Sequence, residues 1–497
     1  MVFSKNKKAI FKDVTYYTLS NLGTQFIGIA TSIIIRVGLG PTMVGMWELL
    51  RIILRYSAYS DLGVSTVAVR DIPFYVGKND EEEARSIKNI CFSYNITISF
   101  LISALIMLWS FFMSVSYSTE MVIGLRSVSL IIVLSSIYNF FVNMMRAYKN
   151  FEILSQLILI NAVLMLVLAA VLIPKLGIYG MYLTVNIAFI LSCVYAFFRT
   201  RYTLRFNFDK QRLIYIIRAG IPILLSGVGL LLLMSVDKIM IAKFIGFKQL
   251  GFYTIAGLAF TTLYNLPKSF GIVIFPRIQE HYGRTGNIDE IVSYLLQSVR
   301  IVALIMPLAI GVAYFTMPVL VEYVLPKYLP GIRAFKILMG GMFFICIAYP
   351  SNIFMISMNK QFHLAIILFT SVLFAISVSW IFIHIELGLE GVAFAMSMSY
   401  FVYFILLWLY TTTKYVKLIN GIKALAVALT SYLFFLFLVF VVDIFVITNN
   451  SIIGMLLRLV AFFIVSAVFI GYFNRNSLYK MKLVNLFRGR RGLFQEE

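Results

Sequence analysis

The feature that most constrains this chain is a succession of long apolar segments. A helix that crosses a bilayer needs about 20 consecutive apolar residues. The chain is 61% hydrophobic and only 13% charged, whereas a soluble domain is about half apolar and about a quarter charged. The sequence therefore predicts an all-α polytopic membrane protein with 14 transmembrane helices, at 14–38, 43–69, 89–113, 122–145, 152–173, 176–198, 219–245, 250–275, 291–317, 334–357, 361–384, 388–412, 424–446 and 451–473.

The basic residues indicate the topology. An even number of spans puts both termini on one side, and most of the 42 Lys and Arg residues fall in loops on that side. Because cytoplasmic loops carry an excess of Lys and Arg, we expect both termini in the cytoplasm. The net charge of +21 then reflects topology and does not imply a nucleic-acid partner. The basic N-terminus lacks a small-residue cleavage site, so no removed signal peptide is expected.

Two segments are especially basic, the linker 199–218 and the tail 474–497. Clusters of Lys and Arg beside a membrane bind anionic lipid headgroups. The same clusters are also explained by topology alone, and both interpretations stay open.

The glycine-bounded turns indicate an internal repeat. "GLGPTMVGMW" follows span one and "FIGFKQLGFY" follows span seven, so that Gly40 corresponds to Gly246. "LGIYG" (176–180) separates spans five and six, and "LGLEG" (387–391) separates spans eleven and twelve. Because six is even, the halves enter the membrane in the same orientation, which predicts a parallel repeat about an axis along the membrane normal. The predicted domains are a six-helix N-lobe at 1–198, the basic linker at 199–218, a six-helix C-lobe at 219–412, two further helices within 413–473 and the tail at 474–497.

These glycine turns, the duplicated twelve-helix core with two extra C-terminal helices, and "SVDKIMIAKFIG" in span seven resemble one family. It is the polysaccharide transporters of the multidrug/oligosaccharidyl-lipid/polysaccharide (MOP) superfamily, a group that includes O-antigen-unit flippases and the lipid II flippase. The resemblance implies translocation of an undecaprenyl-pyrophosphate-linked oligosaccharide by alternating access between two lobes, for surface polysaccharide biosynthesis. It also implies a bacterial or archaeal cytoplasmic membrane, with membrane lipids and polysaccharide-assembly proteins as further partners.

Polar stripes on four spans suggest where a substrate binds. At 100° per residue Glu48, Arg51 and Arg55 share one face of span two, and similar stripes occur on spans one, eight and nine. Stripes in both halves predict a hydrated cavity. On these stripes the Lys and Arg residues outnumber the one acid, Glu48. Because guanidinium groups make bidentate contacts with phosphate, we expect an anionic substrate. The candidate substrate-binding residues are Arg36, Arg51, Arg55, Lys268, Arg300, Asn21, Gln25 and Asn265.

Three intramembrane acids, Glu48, Asp61 and Asp237, are candidates for coupling to Na⁺ or H⁺. For Glu48 the alternative is an ion pair with Arg51, three residues further along the helix. No cofactor, metal centre or catalytic residue is expected, because the three histidines are scattered without carboxylates or cysteines at ligand spacing.

Two other functions remain open. A multidrug or toxin exporter of the same superfamily is disfavoured by the cationic stripes and the added helix pair. A membrane-bound polysaccharide polymerase or ligase is disfavoured by short external loops and the duplicated halves. Spans thirteen and fourteen either form a groove for the polyprenyl tail, as the resemblance implies, or serve as packing helices.

Overall fold

The computed structural model describes residues 2–115, 117–285, 288–445 and 452–475. Within these ranges the chain is almost entirely helical and contains no strand. Short 3₁₀ helices occupy Ala58–Asp61 and Pro326–Gly331. The α-helices are α1 Val2–Ser57, α2 Val64–Gly77, α3 Glu81–Met113, α4 Thr119–Ala147, α5 Phe151–Leu176, α6 Ile178–Thr200, α7 Lys210–Leu233, α8 Val236–Phe244, α9 Phe247–Thr285, α10 Ile288–Val324, α11 Ile332–Ser357, α12 Gln361–His384, α13 Gly388–Tyr415, α14 Leu418–Phe445 and α15 Ile452–Arg475.

Each of the predicted spans coincides with one of these helices, with part of α1, or with helices separated by a short break. By length and hydropathy alone, 10 helices in the described part of the chain are able to cross a membrane. The number is 11 when Lys210–Pro222 and Leu224–Leu233 are counted as one bent span. The predicted all-α polytopic membrane fold is confirmed.

Spans two and seven differ from the prediction because each is interrupted. Span two leaves the helical conformation after Asp61, where Leu62 and Gly63 have φ of 49° and 80°. A Cβ on Gly63 would lie 2.7 Å from the Cα of Gly220, so this break packs directly on α7. Span seven is interrupted between α7 and α8. Irregular backbone at membrane depth is tolerated where protein covers it, as at Gly63.

The glycines that mark the predicted repeat all have positive φ. Gly40, with φ of 73° and ψ of 174°, divides α1 into two helical stretches, and Gly246 has φ of 112° before α9. Gly177 and Gly388 have φ of 57° and 58°. Residues with a side chain rarely adopt positive φ, so each of these four turns favours glycine.

A second pair of glycines permits close packing of backbones. A Cβ added to Gly45 would collide with the carbonyl oxygen of Phe247, and one added to Gly251 would collide with that of Pro41. The start of α9 and the second stretch of α1 therefore approach each other without intervening side chains.

The chain forms two compact units, Met1–Thr254 and Ile255–Glu497. In the first unit α1 packs on α5, and α3 packs on α4. In the second, α11 packs on α13, while α10 contacts both α14 and α15. The lobe and linker limits derived from the repeat stay a prediction.

Candidate functional site

Glu48 lies in the second helical stretch of α1, within the first unit. Trp47 and the fully buried Leu50 flank it and belong to a core formed with residues of α4, α5 and α6, including Leu125 and Tyr182. This packing fixes the rotation of the helix about its axis. The Glu48 side chain consequently lies in the protein interior, and the residue is only 7% exposed.

Three cationic side chains donate hydrogen bonds to the Glu48 carboxylate. Arg51 Nη1 lies 3.0 Å from Oε2, and Arg55 Nη2 lies 3.2 Å from Oε1. Lys238, from the first turn of α8, places its Nζ 3.0 Å from Oε1. Both arginines come from the predicted stripe, whereas the lysine comes from a different helix. We call Glu48, Arg51, Arg55 and Lys238, together with the neighbouring Asp237, the Glu48 cluster.

Asp237 is the second acid of this cluster. It is 3% exposed, and its Oδ1 accepts a hydrogen bond of 2.8 Å from the backbone N–H of Lys238. This position in the first turn of α8 is favourable for an anion, because the free N–H groups and the helix dipole are positive there. The Glu48 cluster thus contains three cations and two anions.

The two arginines differ from the rest of the cluster in exposure. The side chains of Arg51 and Arg55 are 47% and 36% exposed, compared with 10% for Lys238 and 9% for Glu48. A guanidinium has five N–H donors, and the hydrogen bonds to Glu48 leave most of them available. Glu48 therefore orients two accessible guanidinium groups, an arrangement suited to contacts with phosphate oxygens. The ion pair with Arg51, one of the two alternatives for Glu48, is present.

The break between α7 and α8 is joined to the same stretch of α1. The hydroxyls of Tyr56 and Ser235 lie 2.7 Å apart, and Ser235 also donates to the carbonyl oxygen of Leu231 at 2.6 Å. These contacts hold the start of α8 beside α1. They position Lys238 for its ion pair.

Arg36 is buried and donates hydrogen bonds to backbone carbonyls of α1 and α9. Its Nη2 donates to the carbonyl oxygen of Thr254 at 3.1 Å, and its Nη1 donates to the carbonyl and hydroxyl oxygens of Ser32. Arg36 thereby connects α1 to α9. Of the other candidates on α1, Asn21 is half-buried and Gln25 is exposed.

Asp61 is separate from the cluster and ends the 3₁₀ helix. Its Oδ1 accepts from the backbone N–H of Gly63 at 2.9 Å, and its Oδ2 accepts from that of Ser65 at 3.4 Å. The carboxylate thereby caps the start of α2.

Three candidates belong to the second unit. On α9, Asn265 is half-buried and Lys268 is exposed. On α10, Arg300 is partly buried, and its Nε has no hydrogen-bond partner within the described part of the chain. Their role in substrate binding stays a prediction.

Sequence reasoning missed the role of Lys238. The sequence shows that Lys238 is adjacent to Asp237 in an apolar span. Its ion-pair partner Glu48, however, lies 190 residues away in the sequence. The available signal was an Asp-Lys pair inside an apolar span, which is costly unless other charges compensate it. In the described ranges, no group of three or more His, Cys, Asp or Glu residues is placed to hold a metal ion.

Several solved transporters have a similar fold. The lipid II flippase MurJ in an inward closed conformation has a TM-score of 0.67 at 14% identity, over 92% of this chain and 98% of that chain. An inward-facing multidrug resistance MATE family transporter of the MOP superfamily has a TM-score of 0.62 at 17% identity, over 84% and 96%. MATE in a bent conformation has a TM-score of 0.57 at 18% identity, over 86% and 97%. The chain therefore shares the fold of these transporters.

The sequence gives the narrower classification. Residues 56–330, more than half of the chain, match the family model described as "Polysaccharide biosynthesis protein". The chain belongs to this family. No curated protein matches the sequence. The resemblance inferred from the glycine turns and helix order is confirmed.

Proposed function

We propose that the protein is a flippase that moves an undecaprenyl-pyrophosphate-linked oligosaccharide across the cytoplasmic membrane by alternating access, for surface polysaccharide biosynthesis. The family description supports polysaccharide assembly, and the fold supports transport. In this proposal the protein moves its substrate without chemical change.

The observation that carries the proposal is the Glu48 cluster. Its three cations and two anions leave one positive charge, and the two arginines are the members with exposed side chains. A pyrophosphate offers several anionic oxygens to such a pair of guanidinium groups. Arg51 and Arg55 are the proposed pyrophosphate contacts, Glu48 orients them, and Lys238 neutralises the buried end of the carboxylate.

Spans thirteen and fourteen suit the lipid part of this substrate. α14 and α15 pack beside α10, where Leu304, Leu308, Phe434 and Phe462 help to line a small, mostly apolar pocket of about 20 Å³. Both helices also present many exposed apolar side chains. We propose that the polyprenyl tail lies along this apolar surface.

The test is export of surface glycan by a deletion strain that carries variants of the gene. Arg55→Ala should abolish export at a near-normal protein level, because Glu48 keeps Arg51 and Lys238 as partners. Arg55→Lys should restore export only in part, since an ammonium retains the charge without the planar, two-pronged geometry.

Arg126→Ala is the matched control. Arg126 also lies in a membrane span, but its guanidinium stacks on Phe111 at 4.8 Å, outside the Glu48 cluster. Export should continue in this variant. Normal export by a well-expressed Arg55→Ala variant would refute the phosphate role.

Multidrug export is the second candidate, favoured by the similarity to MATE structures. It predicts increased susceptibility of the deletion strain to cationic drugs, with surface glycan unchanged. The flippase proposal predicts the reverse, with lipid-linked oligosaccharide accumulating on the cytoplasmic side.

A further inference from the structure

A non-helical segment of the first unit, 201–209, joins α6 to α7 and lies along α3. Two of its backbone groups form hydrogen bonds with side chains of α3. The carbonyl oxygen of Thr203 accepts from Lys88 Nζ at 2.8 Å, and the N–H of Asn207 donates to Ser93 Oγ at 2.8 Å. We call residues 201–209 the strap, because these contacts fasten the segment to α3.

The strap reaches the depth at which the predicted third span enters the membrane. This span begins at residue 89, so Ser93 lies about 6 Å inside it. Phe206 packs against Phe92 in the same turn of α3, with ring centroids 5.5 Å apart. Interfacial segments bury their apolar side chains about 5–10 Å deep, at the boundary between headgroups and acyl chains. The end of the strap is therefore at the height of this boundary.

Phe206 and Phe208 form an exposed apolar pair at the end of the strap. The two residues are 65% and 57% exposed, and their rings stack with centroids 6.4 Å apart. Earlier in the strap, by contrast, Tyr202 and Leu204 pack on the hydrophobic core of the first unit. An exposed apolar patch beside polar residues marks a surface that contacts a partner or a membrane.

The surroundings of the pair match a membrane surface. α6, a membrane span, ends directly before the strap, and Phe197 and Phe198 at its end are exposed. Arg205 and Lys210 are exposed on either side of the pair in sequence. Aromatic residues are enriched at the boundary between bilayer and water, and Lys and Arg residues collect beside span ends. The direct continuation from a spanning helix favours lipid over a soluble protein as the occupant.

We propose that Phe206 and Phe208 insert into the membrane interface and anchor the strap there. The contact is apolar, so it is distinct from binding of anionic headgroups by the basic residues of the linker. It fixes the start of α7, which follows the strap directly. Such an anchor requires only a membrane-spanning protein and is independent of the transported substrate.

The experiment places a nitroxide spin label at Phe206→Cys or Phe208→Cys in the full-length protein, in phosphatidylcholine nanodiscs. Collisions with oxygen, which dissolves in lipid, are compared with collisions with a water-soluble nickel chelate. We expect a several-fold higher ratio of oxygen to nickel collisions at both positions than at Thr203→Cys, an exposed position on the same strap. Labelling of the unmodified protein, in which Cys91 and Cys346 are buried, gives the background.

Lipid composition distinguishes insertion from headgroup binding. The collision ratio should be high in phosphatidylcholine alone and should change little when phosphatidylglycerol or salt is added, because an apolar contact is not screened. Equal ratios for the labels at Phe206, Phe208 and Thr203 in phosphatidylcholine would overturn the proposal. A high ratio that requires anionic lipid would overturn it as well, since the basic residues would then make the contact.

Proteolysis tests the native strap without a label. Trypsin cleaves after Arg205, which is exposed next to the aromatic pair. In nanodiscs the double variant Phe206→Ser with Phe208→Ser should be cut there several-fold faster than the unmodified protein, because the strap loses its anchor. Phe206→Leu with Phe208→Leu is the matched control, since it keeps apolar side chains and should be cut as slowly as the unmodified protein. Equal cleavage of the Ser and Leu variants would contradict insertion.

Discussion

The Nζ of Lys238 lies 3.0 Å from the Oε1 of Glu48, although 190 positions separate the two residues in sequence. The ion pair connects the first turn of α8 to the second stretch of α1. Both side chains are about nine-tenths buried, so the two charges stabilise each other in the protein interior. The pair holds the Glu48 carboxylate, to which the exposed Arg51 and Arg55 also donate hydrogen bonds.

Replacing Glu48 by Gln should destabilise the protein by about 3 kcal/mol or more, because it removes the carboxylate that forms an ion pair with the buried Lys238 ammonium. We expect a lower melting temperature in detergent and a lower amount of protein in membranes. The double variant Glu48→Gln with Lys238→Met should recover much of this loss, since the second change removes the buried ammonium that has lost its Glu48 partner.

An exposed ion pair provides the control for this experiment. Glu81 and Arg85 are 2.8 Å apart, and their side chains are 73% and 66% exposed. Glu81→Gln should therefore change stability by less than about 1 kcal/mol. Equal losses for Glu48→Gln and Glu81→Gln would argue against a structural role for the buried carboxylate.

Gly45→Ala should destabilise the protein by about 1–3 kcal/mol, the usual cost of forcing atoms into a packed interior. The added Cβ would meet the backbone of Phe247 and Gly251, which cannot move as a side chain can. Gly28→Ala, in the same helix, is the control because no atom lies within 4 Å of its added Cβ. That change should be neutral or stabilising by up to about 1 kcal/mol. Thermal unfolding of both variants tests the difference, and an unaffected Gly45→Ala would contradict the close approach.

Gly40→Ala should cost about 1–3 kcal/mol for a different reason. A Cβ would meet nothing within 4 Å, but φ of 73° with ψ of 174° is a conformation used almost only by glycine. Gly77→Ala has similar open space and no positive φ, so it should have little effect. Similar melting temperatures for the two variants would mean that the turn relaxes without cost.

Reporter fusions at Asn449 and at Gly492 should report opposite compartments, with Gly492 in the cytoplasm. Both positions lie outside the described residues, and the expectation rests on the basic loops and the even number of spans. Alkaline phosphatase and green fluorescent protein fusions give complementary signals for this test. The same compartment at both positions would remove the last span.

The sequence was sufficient for features that depend on local chemistry. Helix positions follow from apolar length, because a spanning helix satisfies its own backbone hydrogen bonds. The turns at Gly40, Gly246, Gly177 and Gly388 follow from the conformational freedom of glycine, and all four have positive φ. The shared face of Glu48, Arg51 and Arg55 follows from helical spacing, and these side chains form ion pairs.

Tertiary structure decided which helix faces meet. Helical periodicity shows which side chains share a face of a helix, but it does not show which other helix that face contacts. In a span rich in apolar residues, many faces are equally able to pack against a neighbouring helix. For this reason the ion pair of Glu48 with Lys238 and the hydrogen bond from Arg36 to the carbonyl oxygen of Thr254 are seen only in the tertiary structure. Each joins separate elements whose relative rotation is set by the packing of neutral residues around them.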